Sequence, residues 1–139
     1  MCRGNRNATV FGSEADAELF LKTLSEAVAR NDWRVHSYVL MKTHYHLLLE
    51  TPSPNLVEGT KWFQGTFTQR MNAMHKTWGH LFQGRYKAKV IDDRNSAYFQ
   101  KVSDYIHLNP AAAGLLQSRE SPVLDSYAWS SYPSFLQPP

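Results

Sequence analysis

His44, Tyr45 and His46 open an otherwise apolar run that extends to Glu50, with one residue between the two imidazoles. On a β-strand successive side chains alternate between faces, so His44 and His46 project together. Two imidazoles held that way can share a metal ion, with the strand supplying rigidity. Two such histidines can equally be polar surface or hydrogen-bonded core, and an H-x-H triplet alone has little specificity. Further along, Tyr105 and Asn109 stand four residues apart, which puts them on one face of a helix. A helix laid across the histidine face would offer the Asn109 carbonyl oxygen as a ligand and the Tyr105 oxygen as a nucleophile. Tyrosine has a pKa of about 10, so it needs a base, a water relay or a cation in order to attack. A divalent metal can polarise and orient a phosphate beside it. Coordination chemistry alone favours manganese over magnesium for two imidazoles. Taken singly, Tyr105 reads as a half-buried aromatic and Asn109 as a turn residue before a proline. His36, His75, His80 and His107 read as surface or phosphate-contacting residues, not ligands.

The charge distribution points the same way. Between Gly59 and Ile91 lie six basic residues and no acidic one: Lys61, Arg70, Lys76, Arg85, Lys87 and Lys89. The remainder holds nine basic and twelve acidic residues, so the net charge of +3 conceals a cationic segment in an acidic frame. The segment also carries Trp62, Phe63, Phe67, Trp78, Phe82 and Tyr86. Cations can neutralise phosphates and exposed aromatics can stack on unpaired bases. The bland alternative is a solvated basic face over an aromatic core. Arg85, Lys87 and Lys89 alternate, hence share a strand face, and are the leading group of nucleic-acid contacts, followed by Lys61 and Arg70.

These groups need elements to position them. Ser13 and Asp16 form a capping-box pattern, and Ala17, Phe20, Leu21, Leu24 and Val28 recur at helical spacing toward Asn31. Trp33 to Met41 and His44 to Glu50 read as antiparallel strands with a short connection at Lys42-Thr43. Pro54 suits the first turn of a second helix, one side of which is marked by Leu56, Thr60, Phe63, Phe67, Arg70 or Met71, and Met74, running to about His75. Arg85 to Ile91 alternates like a strand. Asn95 or Ser96 caps a third helix, expected from Ala97 to about Leu108 and stopped by Pro110. A short helical piece, Ala111 to Gln117, should follow. The order α-β-β-α-β-α predicts an α+β sandwich, a mainly antiparallel sheet with helices packed on it. One domain over 1–135 and a loose tail over 136–139 account for the 139 residues.

No run reaches the length of a membrane span, and the opening residues lack an apolar signal-type stretch. A single cysteine, Cys2, excludes a disulfide framework and a multi-cysteine zinc site. A cytoplasmic protein without membrane partners is the expectation.

Four motifs stand in order: MKTHYHLLLETP (Met41 to Pro52), GHLFQGRYKA (Gly79 to Ala88), SDYIHLNP (Ser103 to Pro110) and YAWSSY (Tyr127 to Tyr132). Together they resemble the single-tyrosine transposases of the histidine-hydrophobic-histidine endonuclease superfamily, especially the REP-associated tyrosine transposases of the IS200-like group. The resemblance implies a ferredoxin-like antiparallel sheet and a divalent metal, Mg2+ or Mn2+. It implies cleavage of single-stranded DNA near a hairpin, with strand transfer, by a monomer or homodimer. By position, His44 and His46 are then the metal pair, Asn109 the third ligand, and Tyr105 the nucleophile that forms a 5′-phosphotyrosine.

The sequence departs from the family pattern in three places. Arg3-Gly4-Asn5 stands almost at the start, where the family has a full strand before it, so the first strand is expected to be missing or cut short. Lys42-Thr43 occupies a turn that is more often Pro-Asn, and Ala111 to Ala113 replaces a stretch that often carries an arginine. Two alternatives accompany the main reading. One is a catalytically inactive, truncated relative that only binds DNA. The other is a rolling-circle-type nickase using Tyr98, which with Lys101 forms a Y-x-x-K pattern.

Overall fold

The computed structural model describes residues 1–92, 94–116 and 124–137. Its elements are β1 (Cys2–Arg3), α1 (Glu14–Asn31), β2 (Arg34–Leu40), β3 (His44–Glu50), α2 (Leu56–His75), α3 (Ser96–Ala112) and a single turn, α4 (Tyr132–Phe135). The strands form one antiparallel sheet in the order β1-β3-β2, which bears out the α+β class. Cys2 pairs with Tyr45 and Arg3 with His44, so β1 is short and lies directly beside the histidines.

The chain then returns along the outer side of β1. The Asn5 amide donates to the Leu81 carbonyl at 2.8 Å, Gln83 to Arg3 at 2.8 Å and Lys87 to Met1 at 2.9 Å. Residues 81–87 thereby take a fourth, irregular position, and the spatial order becomes that of a ferredoxin-like sheet. The strand expected over Arg85 to Ile91 does not form. The bonds that this segment makes to β1 and its flanks, at residues 81, 83 and 87, are too irregular for a ladder, and among the described residues, 85–91 form no strand. No pleat therefore fixes Arg85, Lys87 and Lys89 to one face, although all three are exposed.

The period-2 pattern of β3 splits the core in two. Tyr45, Leu47 and Leu49 face α1 and α2, where Phe20, Phe63 and Phe67 form the aromatic centre of the larger cluster. Leu48 belongs to the other side and packs with Val39, Met41 and Ile106 of α3. Most aromatics of the basic segment thus serve as core, as Phe63, Phe67 and Phe82 show, whereas Trp78 is 91% exposed.

Helix ends follow the local chemistry with two corrections. Pro54 lies outside α2, which begins after Asn55. The Asn55 side chain accepts from the Trp33 indole and donates to the Asn31 carbonyl, so it ties the helix start to the end of α1. Met74, expected on the same side as Phe63 and Phe67, is 43% exposed. Pro110 does not end α3, which continues to Ala112. A proline inside a helix loses one hydrogen bond and crowds the preceding turn. Here its ring is fully buried, and only two helical residues follow before the chain turns at Gly114 with φ 69°. Of the short piece expected next, Ala111 and Ala112 extend α3 itself, and Gln117 lies outside the described residues. The 136–139 tail is described only through Gln137.

Asp16 illustrates how one buried carboxylate joins two helices. It accepts from the Gly12 and Ser13 amides at 3.0 and 3.1 Å and meets His75 Nε2, at the end of α2, at 2.6 Å. Burial pushes its pKa up, but the His75 contact and the two amides outweigh that and hold it below the ordinary value. A carboxyl depressed in the fold stabilises at pH above its unfolded pKa of about 3.9, and the contribution is lost as pH falls through the folded value. Asp16→Ala should therefore cost about 2 kcal/mol at neutral pH. Urea denaturation across an acid series should show a flatter loss of stability in the variant than in the wild type.

Candidate active site

His44 and His46 stand on β3 with ring centroids 5.2 Å apart, on the sheet face that carries α3. Between them Tyr45 points to the opposite face. It is buried there and its hydroxyl accepts from Gln64 Nε2 at 2.7 Å, which anchors the strand in register. Burial lowers the pKa of both imidazoles, with nearby cationic groups adding to it, and His46 is pushed down to about 4. Both rings are thus neutral near pH 7, the form that ligates metal. Thr43 Oγ1 lies 3.1 Å from His44 Nδ1. When Nδ1–H donates to that hydroxyl, the Nε2 lone pair is left for a ligand, an arrangement that orients metal-binding histidines.

Tyr105 comes from the neighbouring helix. Its ring meets His46 edge-on at 5.9 Å between centroids, while the residue remains 62% exposed. The helical spacing that joins Tyr105 to Asn109 is visible in a bond: Asn109 Nδ2 donates to the Tyr105 carbonyl at 2.8 Å. That bond employs the amide nitrogen and leaves Oδ1 as the free acceptor. Among the described residues no three His, Cys, Asp or Glu side chains cluster as a metal site. The donor set fits a divalent ion only if the two imidazoles are joined by oxygen donors such as Asn109 Oδ1 and a substrate phosphate.

The position of α3 is enforced from two sides. Ser37 of β2 and Ser103 of α3 share a buried hydroxyl–hydroxyl hydrogen bond. The YAWSSY motif covers the open edge of β2: the Leu40 amide donates to the Trp129 carbonyl at 2.8 Å and the Ser131 amide to Tyr38 at 3.0 Å. Tyr127 Oη reaches the Leu40 carbonyl at 2.6 Å. His107 on α3, only 5% exposed, bonds Ser131 Oγ at 2.8 Å and packs on Tyr132 and Phe135. His107 is thus a packing residue, contrary to its reading as surface. His36 and His75 are engaged with Glu50 and Asp16.

Other candidates separate from this cluster. Tyr98 lies on the first turn of α3, seven residues or about 10 Å along the axis from Tyr105. The Lys89 ammonium sits over its ring at 5.6 Å. Arg70, expected as a DNA contact, instead makes a bidentate pair with Glu26 at 3.1 and 2.8 Å and a bond to Thr23. Its guanidinium links α1 and α2 through Glu26, while its side chain remains about one-third exposed. Lys61 is exposed on α2. Two contributors escaped the sequence reading. Thr43 was visible as a hydroxyl beside His44, and Ser131 as a serine within a recurring motif, but neither pattern discloses a partner.

The sequence pattern described as "Transposase IS200 like" matches residues 1–109, which include β1, the histidine pair, Tyr105 and Asn109. The chain belongs to the IS200-like transposase family. A solved structure of the REP-associated tyrosine transposase bound to a REP hairpin matches this fold with a TM-score of 0.78. The alignment covers 99% of this chain and 78% of the other, at 14% identity. None of the curated proteins compared matches the chain. Among the described residues, no helix of this IS200-like chain is long and apolar enough to cross a membrane.

Proposed function

We propose that this IS200-like chain cleaves and rejoins single-stranded DNA beside a hairpin, with Tyr105 as nucleophile. The observation that carries the reading is the approach of an exposed tyrosine to a neutral, half-buried histidine pair on an adjacent element. Tyr105 Oη attacks the phosphorus, the bond from phosphorus to the 3′ oxygen breaks, and a 5′-phosphotyrosine and a free 3′-hydroxyl result. The phenol proton leaves to water, to which its exposure gives access. The link conserves one phosphodiester, so a 3′-hydroxyl can reverse the attack and rejoin or transfer the strand without an outside energy source.

His44, His46 and Asn109 Oδ1 would hold Mg2+ or Mn2+. When bound, the ion supplies Lewis-acid polarisation of the scissile phosphate and charge neutralisation beside the nucleophile. His44 is oriented by Thr43 on β3, while Asn109 is tied by its bond to the Tyr105 carbonyl, so that third donor and the nucleophile share α3 as their support. Arg85, Lys87 and Lys89, and Lys61 on α2, are exposed cations that would meet the DNA backbone.

Incubation with single-stranded hairpin oligonucleotides and manganese tests the reading. A covalent protein–DNA adduct resistant to denaturing electrophoresis is expected. Hairpin binding without any adduct would support the binding-only relative instead.

A further inference from the structure

Trp78 is 91% exposed on the turn that follows α2. The other three tryptophans are placed differently: Trp33 is buried, Trp62 lies beneath the Arg30 guanidinium and Trp129 packs against the larger core. A bare indole on solvent forfeits the burial that a tryptophan normally obtains. The turn that carries it is nonetheless well braced. The Thr77 amide and hydroxyl bond the Asn72 carbonyl and side chain at 2.9 and 3.2 Å, and Asn72 Nδ2 donates to the Gly79 carbonyl at 3.1 Å. Lys76 and Gly79, at φ 53° and 98°, set the reversal on either side of the ring.

Its surroundings are cationic. From Lys76 to Lys89 the chain holds Lys76, Arg85, Lys87 and Lys89 and no acidic residue. A hollow of about 410 Å³, lined by Asn5, His80, Phe82 and Gly84, lies along the residues that follow Trp78. This segment is joined to the histidine strand through β1: Gln83 donates to the Arg3 carbonyl, and Arg3 pairs with His44. Two strand spacings, about 10 Å, separate Gln83 from the histidine strand, and Trp78 stands five residues before Gln83, just past the end of α2.

We propose that Trp78 is a stacking platform for an unpaired base of the single-stranded DNA that leads to the histidine pair. The inference rests on the DNA-processing reading above and adds to it the site where the unpaired strand is held. An aromatic face with cations around it suits a nucleobase and its flanking phosphates, because every base presents a π-face and every linkage a charge. Paired bases inside a duplex have both faces covered, so the platform selects unpaired strand.

Two fluorescently labelled DNA hairpins decide the matter, one with a single-stranded 5′ extension and one blunt, measured at fixed salt without divalent metal. Trp78→Ala should weaken binding of the extended hairpin about tenfold and leave the blunt hairpin unaffected. Trp78→Phe should restore most of the loss, since a ring is retained. Wild-type affinity of Trp78→Ala for the extended hairpin, with the wild type binding normally, overturns this inference alone. An equal loss on both hairpins also overturns it, because the contact would then be to duplex. Failure of the wild type to bind either hairpin sinks the parent reading and this one together.

Discussion

Replacing Tyr105 with phenylalanine should abolish the covalent protein–DNA adduct while leaving hairpin binding intact. The substitution removes one oxygen and keeps the ring that meets His46 edge-on, so the packing of α3 is undisturbed. Deleting an enzymatic nucleophile typically lowers the rate by on the order of 10⁴-fold or more. Tyr98, two turns from Tyr105 along α3 with the Lys89 ammonium over its ring, is the residue that a Tyr98→Phe control would test. Denaturing gels for the adduct, run beside a gel-shift titration for binding, separate chemistry from recognition. A normal adduct yield from the Tyr105→Phe protein would move the nucleophile elsewhere and reject the site.

The second large effect belongs to His46. His46→Ala should suppress manganese-dependent cleavage by about 10² to 10⁴-fold, since Lewis-acid stabilisation amounts to several kcal/mol and each 1.36 kcal/mol is tenfold. The imidazole is half-buried and held neutral by its surroundings, so its removal takes away a metal donor rather than a charge that supports the fold. Calorimetric titration with manganese alone should show weaker binding in the variant, with thermal stability little changed. Unchanged cleavage in manganese would reject the metal assignment while leaving Tyr105 standing.

The sequence disclosed this site where local periodicity was the deciding factor. The alternation of β3 is enough to put His44 and His46 on one face, and the helical repeat is enough to unite Tyr105 with Asn109. Ser13 and Asp16 likewise name their own helix start. The sequence misled where a distant partner decided the outcome. Arg85 to Ile91 has the alternation of a strand, but a regular ladder needs a partner in register, and residues 81–87 bond β1 and its flanks only at irregular intervals. Nothing near Arg70 in the sequence announces its partner Glu26, which lies 44 residues earlier on another helix. Pro110 should stop a helix, yet its burial outweighs the lost hydrogen bond. The contacts that seat α3, Ser37 with Ser103 and His107 with Ser131, span 66 and 24 residues and carry no periodic signature.

The unequal division of the core by the sheet has a thermodynamic consequence. The histidine strand is anchored by Tyr45 in the large aromatic cluster, whereas the tyrosine helix rests through Ile106 on Val39, Met41 and Leu48, with a few hydroxyl bonds. Local opening free energies track the apolar surface that each unit buries. Excursions in which α3 lifts away therefore cost less than global unfolding and leave the histidine pair in place. Tyr105 and the histidine pair then belong to two cooperative units, and under the proposed chemistry the fraction of time they spend docked would set a ceiling on turnover.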